Sequence, residues 1–355
     1  MRLTLIVISL FFCQISVAEP NSELTYRLKA SVTKVHVITK TGGHGVGTGV
    51  VVGKDLVATN CHILANANGV NITKFGDSHT PVSLRADWKH DLCILRFQYV
   101  DLAPVELGDS ENLKYEQAMF SIGFPGGPPK PLVSYGKIKA LYPLHDSQIV
   151  RTDASFVMGA SGSPVFDSDG RLIALSTFKS PGRAAYYYNI PVKWIKALLA
   201  APDTIETTSL KTTDSPFWDA VDEDRPFFMR VVMPYQNNQW NELNTIAQAW
   251  VNAESNNAEA YYYLGIARDK LGKTTQAKQA FARTLSLHPQ HPATLFALGL
   301  IAQREDNQPE LNRLKVAMKE VDLDVLAEFN QVVINQALNP AVEVSNSIAS
   351  DVQAK

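Results

Sequence analysis

The sequence is short of three things: net charge, cysteine and long apolar runs. Its 33 Lys and Arg against 35 Asp and Glu leave a formal charge of −2, so bulk attraction to a nucleic-acid backbone or an anionic bilayer is absent. Nucleic acid is therefore not an expected partner. Cysteine occurs 3 times, and Cys13 sits in an apolar N-terminal run, which leaves Cys61 and Cys93 for the rest of the chain. Two cysteines are too few for the usual four-ligand structural zinc site. They fit one disulfide in an exported protein, or two buried thiols acting as small hydrophobes, and composition does not choose between these. No metal or organic cofactor motif is recognisable, and none is expected.

The apolar run itself, Leu3–Val17, falls short of the roughly 20 residues that span a bilayer. Arg2 precedes it, and the small residues Ser16 and Ala18 end it. That pattern predicts a signal peptide over 1–18, cut before Glu19, and hence a periplasmic or secreted protein with no membrane span after cleavage.

What remains is an ordinary globular composition, 45% apolar and 19% charged over 355 residues, long enough for two domains. From about Val32 to Thr177 short runs rich in Val, Ile, Leu and Thr alternate with turns such as Gly53-Lys54-Asp55 and Ser168-Asp169-Gly170, which predicts an all-β barrel or sandwich. Pro191–Ala200 reads as a closing helix, with Val192, Ile195, Leu198 and Leu199 on one face. Residues 201–226 carry Thr, Ser, Asp and Pro without periodicity and read as a linker or a surface-hugging connection. Phe217 and Trp218 argue against free coil there.

After Asn237 the period becomes helical and repeats. Leu264-Gly265 recurs as Leu298-Gly299, and Tyr261, Leu264, Gly265, Ala277, Phe281 and Pro289 occupy tetratricopeptide packing positions. Trp240–Ala253 fits the second helix of a degraded repeat, Pro292–Gln303 opens the next, and Asp322–Leu338 fits a capping helix. The expected domains are a signal peptide (1–18), a β-rich domain (19–200), a linker (201–226), helical repeats (227–340) and a flexible tail (341–355).

Three segments carry chemistry. In Gly159-Ala160-Ser161-Gly162-Ser163-Pro164 a serine between glycines presents its hydroxyl, while the amides of Gly159 and Ser161 converge as donors for an oxyanion. Leu56–Thr59 runs as an apolar strand into Asn60-Cys61-His62, which offers a base at a strand end. Histidines 36, 44, 79, 90 and 145 share the domain, and the strand-then-His context selects His62. Asp91 opens the apolar run Leu92–Leu95 and supplies a carboxylate to orient the imidazole. His62, Asp91 and Ser161 together predict nucleophilic catalysis by a triad.

Gly47–Leu64, Asp91–Phe97, Ser121–Leu141 and Thr152–Thr177 resemble the HtrA/DegP branch of trypsin-like serine proteases, over roughly residues 30–195. The resemblance implies two six-stranded barrels with a cleft between them, and peptide-bond hydrolysis through an acyl-enzyme. The expected fold class is thus a chymotrypsin-like all-β double barrel followed by an all-α tetratricopeptide-like domain. A triad would also bring Cys61 and Cys93 near one another.

There are departures. Ala160 replaces the acidic residue that digestive relatives pair with a new N-terminus, and Ser163 replaces a common glycine. Helical repeats stand where HtrA proteins usually carry PDZ modules. Ser155 is expected at the base of the pocket for the residue before the cut, with Ser176, Thr177 and Phe178 on one wall and Tyr186–Tyr188 opposite. Lacking an acid, that pocket disfavours Lys and Arg. The expected partners are a protein or peptide substrate and a protein held by the repeats. The alternative is a dormant protease fold acting as a scaffold through those repeats.

Overall fold

The computed structural model describes residues 22–201, 205–206 and 215–338. The expected signal peptide, part of the connection within 201–226 and the tail 341–355 lie outside the described residues. Helix α1 (Ser22–Lys29) precedes seven strands: β1 (Val32–Thr39), β2 (His44–Gly53), β3 (Leu56–Thr59), β4 (Ala67–Lys74), β5 (Asp77–His79), β6 (Ser83–Asp87) and β7 (Leu92–Arg96). Six more follow: β8 (Ala118–Gly123), β9 (Leu132–Leu144), β10 (Ser147–Thr152), β11 (Pro164–Phe166), β12 (Leu172–Lys179) and β13 (Tyr187–Pro191). Helix α2 (Val192–Ala200) and the short strand β14 (Ile205–Glu206) complete the β half.

The pleat explains the alternation seen in the sequence. In β4 every second residue from Val70 to Lys74 is buried, as expected for a strand with one covered face. β12 is buried along nearly its whole length, consistent with its continuous apolar run.

The second set, β8–β13, closes into a barrel. The first does not, contrary to the expected pair of closed barrels: it is an 8-stranded open sheet in the order β14-β6-β7-β3-β2-β1-β4-β5. The reason lies at its edges. β5 is only three residues long and pairs with β4 alone, while the outer edge of β6 is taken by Ile205 and Glu206.

The helical half runs α3 (Phe227–Arg230), α4 (Val232–Gln236), α5 (Trp240–Ala253), α6 (Ala258–Lys270), α7 (Thr274–Leu287), α8 (Pro292–Arg304), α9 (Gln308–Val321) and α10 (Leu323–Leu338). The repeat residues do what their chemistry allows. A Cβ at Gly265 would lie 2.5 Å from the Phe281 ring, so only glycine lets α6 and α7 close up. Gly299 plays the same part against Phe329, where the gap would be 2.7 Å. Asn257 caps α6 through the amides of Glu259 and Ala260, and His291 caps α8 ahead of Pro292.

One hydrophobic core runs from the barrel into the repeats. Phe228 stacks on Tyr142 of β9 with centroids 4.5 Å apart, and Trp250 packs beside Tyr263. Each large side chain fully buried there contributes roughly 1.5–3 kcal/mol. Residues of α6, α8 and α10 face the closed barrel across a cavity of about 90 Å³ lined by Arg151, Tyr186, Glu259, Tyr262 and His291. Lys137 of β9 reaches Asp322 at 2.7 Å over the same junction. Among the described residues no helix is long and apolar enough to cross a membrane.

Candidate active site

β3 and β7 pair antiparallel with Thr59 opposite Cys93, and extending that register past the strand ends sets position 61 against 91. His62 and Asp91 are neighbours for this reason. Cys61 lies in the 3-10 turn Cys61–Leu64 that follows β3, and it is disulfide-bonded to Cys93 with a Cα separation of 5.0 Å. Asn60 clamps the other side: its Nδ2 donates to the Asp91 carbonyl at 3.0 Å and to the Thr177 hydroxyl at 3.1 Å. Asp91 adopts φ +57°, left-handed for a non-glycine, which turns its carboxylate back beneath His62 at a local cost of roughly 1–3 kcal/mol.

The Asp91 carboxylate has no exposed surface. Its Oδ1 accepts from the His62 backbone N–H at 2.7 Å, and its Oδ2 lies 2.6 Å from His62 Nδ1. On the far side of the ring, His62 Nε2 is 3.1 Å from Ser161 Oγ. The imidazole therefore bridges a buried carboxylate and a hydroxyl, and its side chain keeps 28% exposure toward the solvent side. The other histidines do different work. His36 bonds Thr73 at 2.8 Å, and His90 lies between Asp87 at 2.6 Å and His145 at 2.9 Å.

Ser161 sits on a tightly tethered loop. Thr48 N–H donates to its carbonyl at 2.8 Å, and Gly162 N–H donates to Ser176 O at 2.8 Å. Gly162 has φ +84°, and a Cβ there would meet Thr48 O at 2.1 Å, so β2 and the serine loop approach only because the position is glycine. Ahead of it, Ala160 N–H closes a turn onto Val157 O at 3.1 Å with Gly159 at φ +95°, the type II arrangement. Met158 O accepts from Gly126 N–H at 2.7 Å. In a trans peptide the Gly159 N–H must then point the opposite way. Among the described residues neither this amide nor that of Ser161 donates to a protein acceptor.

The four expected pocket residues have different surroundings. Ser155 is exposed and borders a small space beside Ala154, Ala160 and Ser163. Ser176 is buried, and its N–H donates to Ser163 O. The Thr177 hydroxyl is used by Asn60 and Leu175 O, while Phe178 stacks on Tyr188 at 4.7 Å and on Trp218 at 5.6 Å. The strand carrying these residues bulges between Ser176 and Phe178, which turns Thr177 toward Asn60 and Phe178 into the aromatic stack.

Sequence reading missed one contact. Trp218, in the 3-10 turn Phe217–Asp219, donates its Nε1–H to Asp91 Oδ2 at 3.0 Å, and its ring meets His62 edge-on at 5.4 Å. The available signal was a pair of aromatics in a stretch rich in Thr, Asp, Ser and Pro.

Residues 47–175 match the trypsin-like peptidase domain, and residues 259–291 match the tetratricopeptide repeat. The chain carries a trypsin-like peptidase domain joined to tetratricopeptide-type helices. Among curated relatives, a DegP-like periplasmic serine endoprotease of Chlamydia muridarum is 30% identical over 147 residues, covering 39% of this chain and 29% of that protein. The magnetosome formation protease MamE of Magnetospirillum gryphiswaldense is 28% identical over 194 residues, covering 51% of this chain and 25% of that protein. The chain thus matches only about a quarter to three tenths of the length of these relatives. Among solved structures, the active form of the Rv3671c protease of M. tuberculosis superposes with a TM-score of 0.47 at 20% identity, covering 58% of this chain and 98% of that one. The HtrA-type protease AlgW with a tripeptide gives 0.46 at 21% identity, covering 50% and 62%.

Proposed function

We propose that the chain is an exported, periplasmic serine endopeptidase that cleaves protein or peptide substrates through an acyl-enzyme on Ser161. The observation that carries this reading is the single imidazole 2.6 Å from Asp91 and 3.1 Å from Ser161 Oγ. Export is supported by the 1–18 pattern and by the periplasmic relatives.

The chemistry follows from the placement. As Ser161 Oγ attacks the scissile carbonyl carbon, its proton passes to His62 Nε2. Asp91, buried and acceptor-only, holds Nδ1–H and stabilises the imidazolium that forms. The carbonyl oxygen gains charge and is met by the amides of Gly159 and Ser161, donors fixed in place before the reaction begins. Collapse breaks the C–N bond, and His62 returns the proton to the leaving amine. Water then repeats the sequence on the ester, with the proton going back to Ser161.

The dormant-scaffold alternative needs a free inner repeat surface. Here α6, α8 and α10 turn that surface toward the closed barrel, so recruitment by the repeats falls to other faces. Cleavage profiling against a peptide library tests the enzymatic reading. Wild type yields defined products, and Ser161→Ala loses turnover by several powers of ten. Equal cleavage by the two proteins would overturn it.

A further inference from the structure

The Asp91 carboxylate is fully buried, and three donors hold it: two from His62 and one from Trp218. The third comes from 127 residues further along the chain, in the segment that leads from the β half to the repeats. We infer that Trp218 is a positioning residue of the triad, and that the segment joining the two halves is thereby part of the machinery that orients His62. This rests on the endopeptidase reading and adds to it a dependence on the helical half.

The geometry supports more than casual contact. The shared acceptor, Oδ2, is the oxygen that faces His62 Nδ1. An indole N–H at 3.0 Å in a buried site fixes the rotation of that carboxylate. Without it, Oδ2 would keep a lone pair unsatisfied away from water and the carboxylate could turn from the imidazole. The indole ring stands edge-on to His62 at 88°, so it also blocks tilting of the imidazole on that side.

Trp218 is itself held from both directions. Its ring stacks on Phe178 of β12, while the preceding Phe217 is buried against Phe178 and Trp194, and its N–H donates to Lys89 O at 3.0 Å. Ten residues on, Phe228 stacks on Tyr142, and its neighbour Phe227 lies parallel to Trp250 of α5. The segment is therefore pinned to the β half at one end and to the first repeat helices at the other. Displacing those helices would pull on the residue that sets the carboxylate.

Two readouts test this. Trp218→Phe keeps an aromatic ring, removes the N–H donor and trims the indole to one ring. Its kcat/KM is expected to fall about 10- to 100-fold, the range for one hydrogen bond to a charged group, with the melting temperature close to wild type. Unchanged kcat/KM would overturn the inference. The second readout does not depend on turnover. In 1H–15N NMR of the full chain, the Trp218 indole cross-peak is expected to be protected from solvent exchange and to move on Asp91→Asn. An indole that exchanges freely and ignores Asp91→Asn would overturn the inference even in an active enzyme. If wild type cleaves nothing while the indole still responds to Asp91→Asn, the endopeptidase reading fails and the Trp218–Asp91 contact stands.

Discussion

At residue scale, positions with little chemistry of their own decide whether the reactive groups meet. Gly159 is the sharpest case. Its φ of +95° disfavours any side chain, and a Cβ would sit 2.5 Å from the Phe124 carbonyl. Gly159→Ala must shift the turn that aims one of the two amides, so kcat is expected to drop by about 10² or more, while labelling by a small reagent at Ser161 slows less. Steady-state kinetics beside labelling rates check this; wild-type kcat in the variant would show that the turn does not supply the donor. The three residues of the proposed triad were legible because each carries a local signature: a strand running into His62, an acid opening a strand, and a serine between glycines. Trp218 stood out only as half of an aromatic pair, since a hydrogen bond across 127 residues leaves no periodicity behind.

At the scale of elements, the junction between α6 and α8 holds a buried carboxylate–imidazole hydrogen bond. Glu259 and His291 meet at 2.9 Å, both nearly without solvent. Burial pushes the Glu259 carboxyl up, but the electrostatic pull and hydrogen bond of the His291 ring, together with Arg151, outweigh it and hold the group below its ordinary value of 4.5. A carboxyl lowered by folding adds stability that is complete above its unfolded pKa and is lost as pH falls through the folded one. Thermal stability of the helical half is therefore expected to decline below about pH 4.5. Glu259→Gln should flatten that decline and cost about 1–3 kcal/mol at neutral pH. Melting curves across pH 3 to 7 decide; an identical pH slope in the variant would contradict the assignment. The helices were readable from the 34-residue recurrence of Leu-Gly and from Gly265, whose missing side chain admits Phe281. The open first sheet was not, because the pairing of its edge strand β6 with two residues that follow α2 is a long-range contact that alternation cannot encode.

At the scale of the whole molecule, two links hold the halves of the site in register. The Cys61–Cys93 disulfide joins the segments that carry His62 and Asp91 across a separation of 32 residues. A cross-link of that span stabilises by about 2–4 kcal/mol, largely by restricting the unfolded chain. The double variant Cys61→Ser, Cys93→Ser is expected to melt several degrees lower and to become insensitive to reductant. A wild-type melting temperature unmoved by reductant under unfolding conditions would contradict the bond. The second link is the aromatic run from Trp218 through Phe178, Tyr188, Phe228 and Tyr142 to Trp250, which makes the repeats continuous with the β half rather than an appendage. Composition and repeat spacing announced two kinds of structure in one chain, but not that residues of α6, α8 and α10 would line a cavity against the chain's own barrel.

The central claim is that Ser161 is an activated nucleophile, and covalent capture tests it most directly. Incubation of the folded chain with a fluorophosphonate, followed by proteolysis and mass spectrometry, should place one adduct on the peptide containing Ser161, with His62→Ala and Ser161→Ala unlabelled. An absence of adduct on folded wild type, or labelling that persists in Ser161→Ala, would contradict the account.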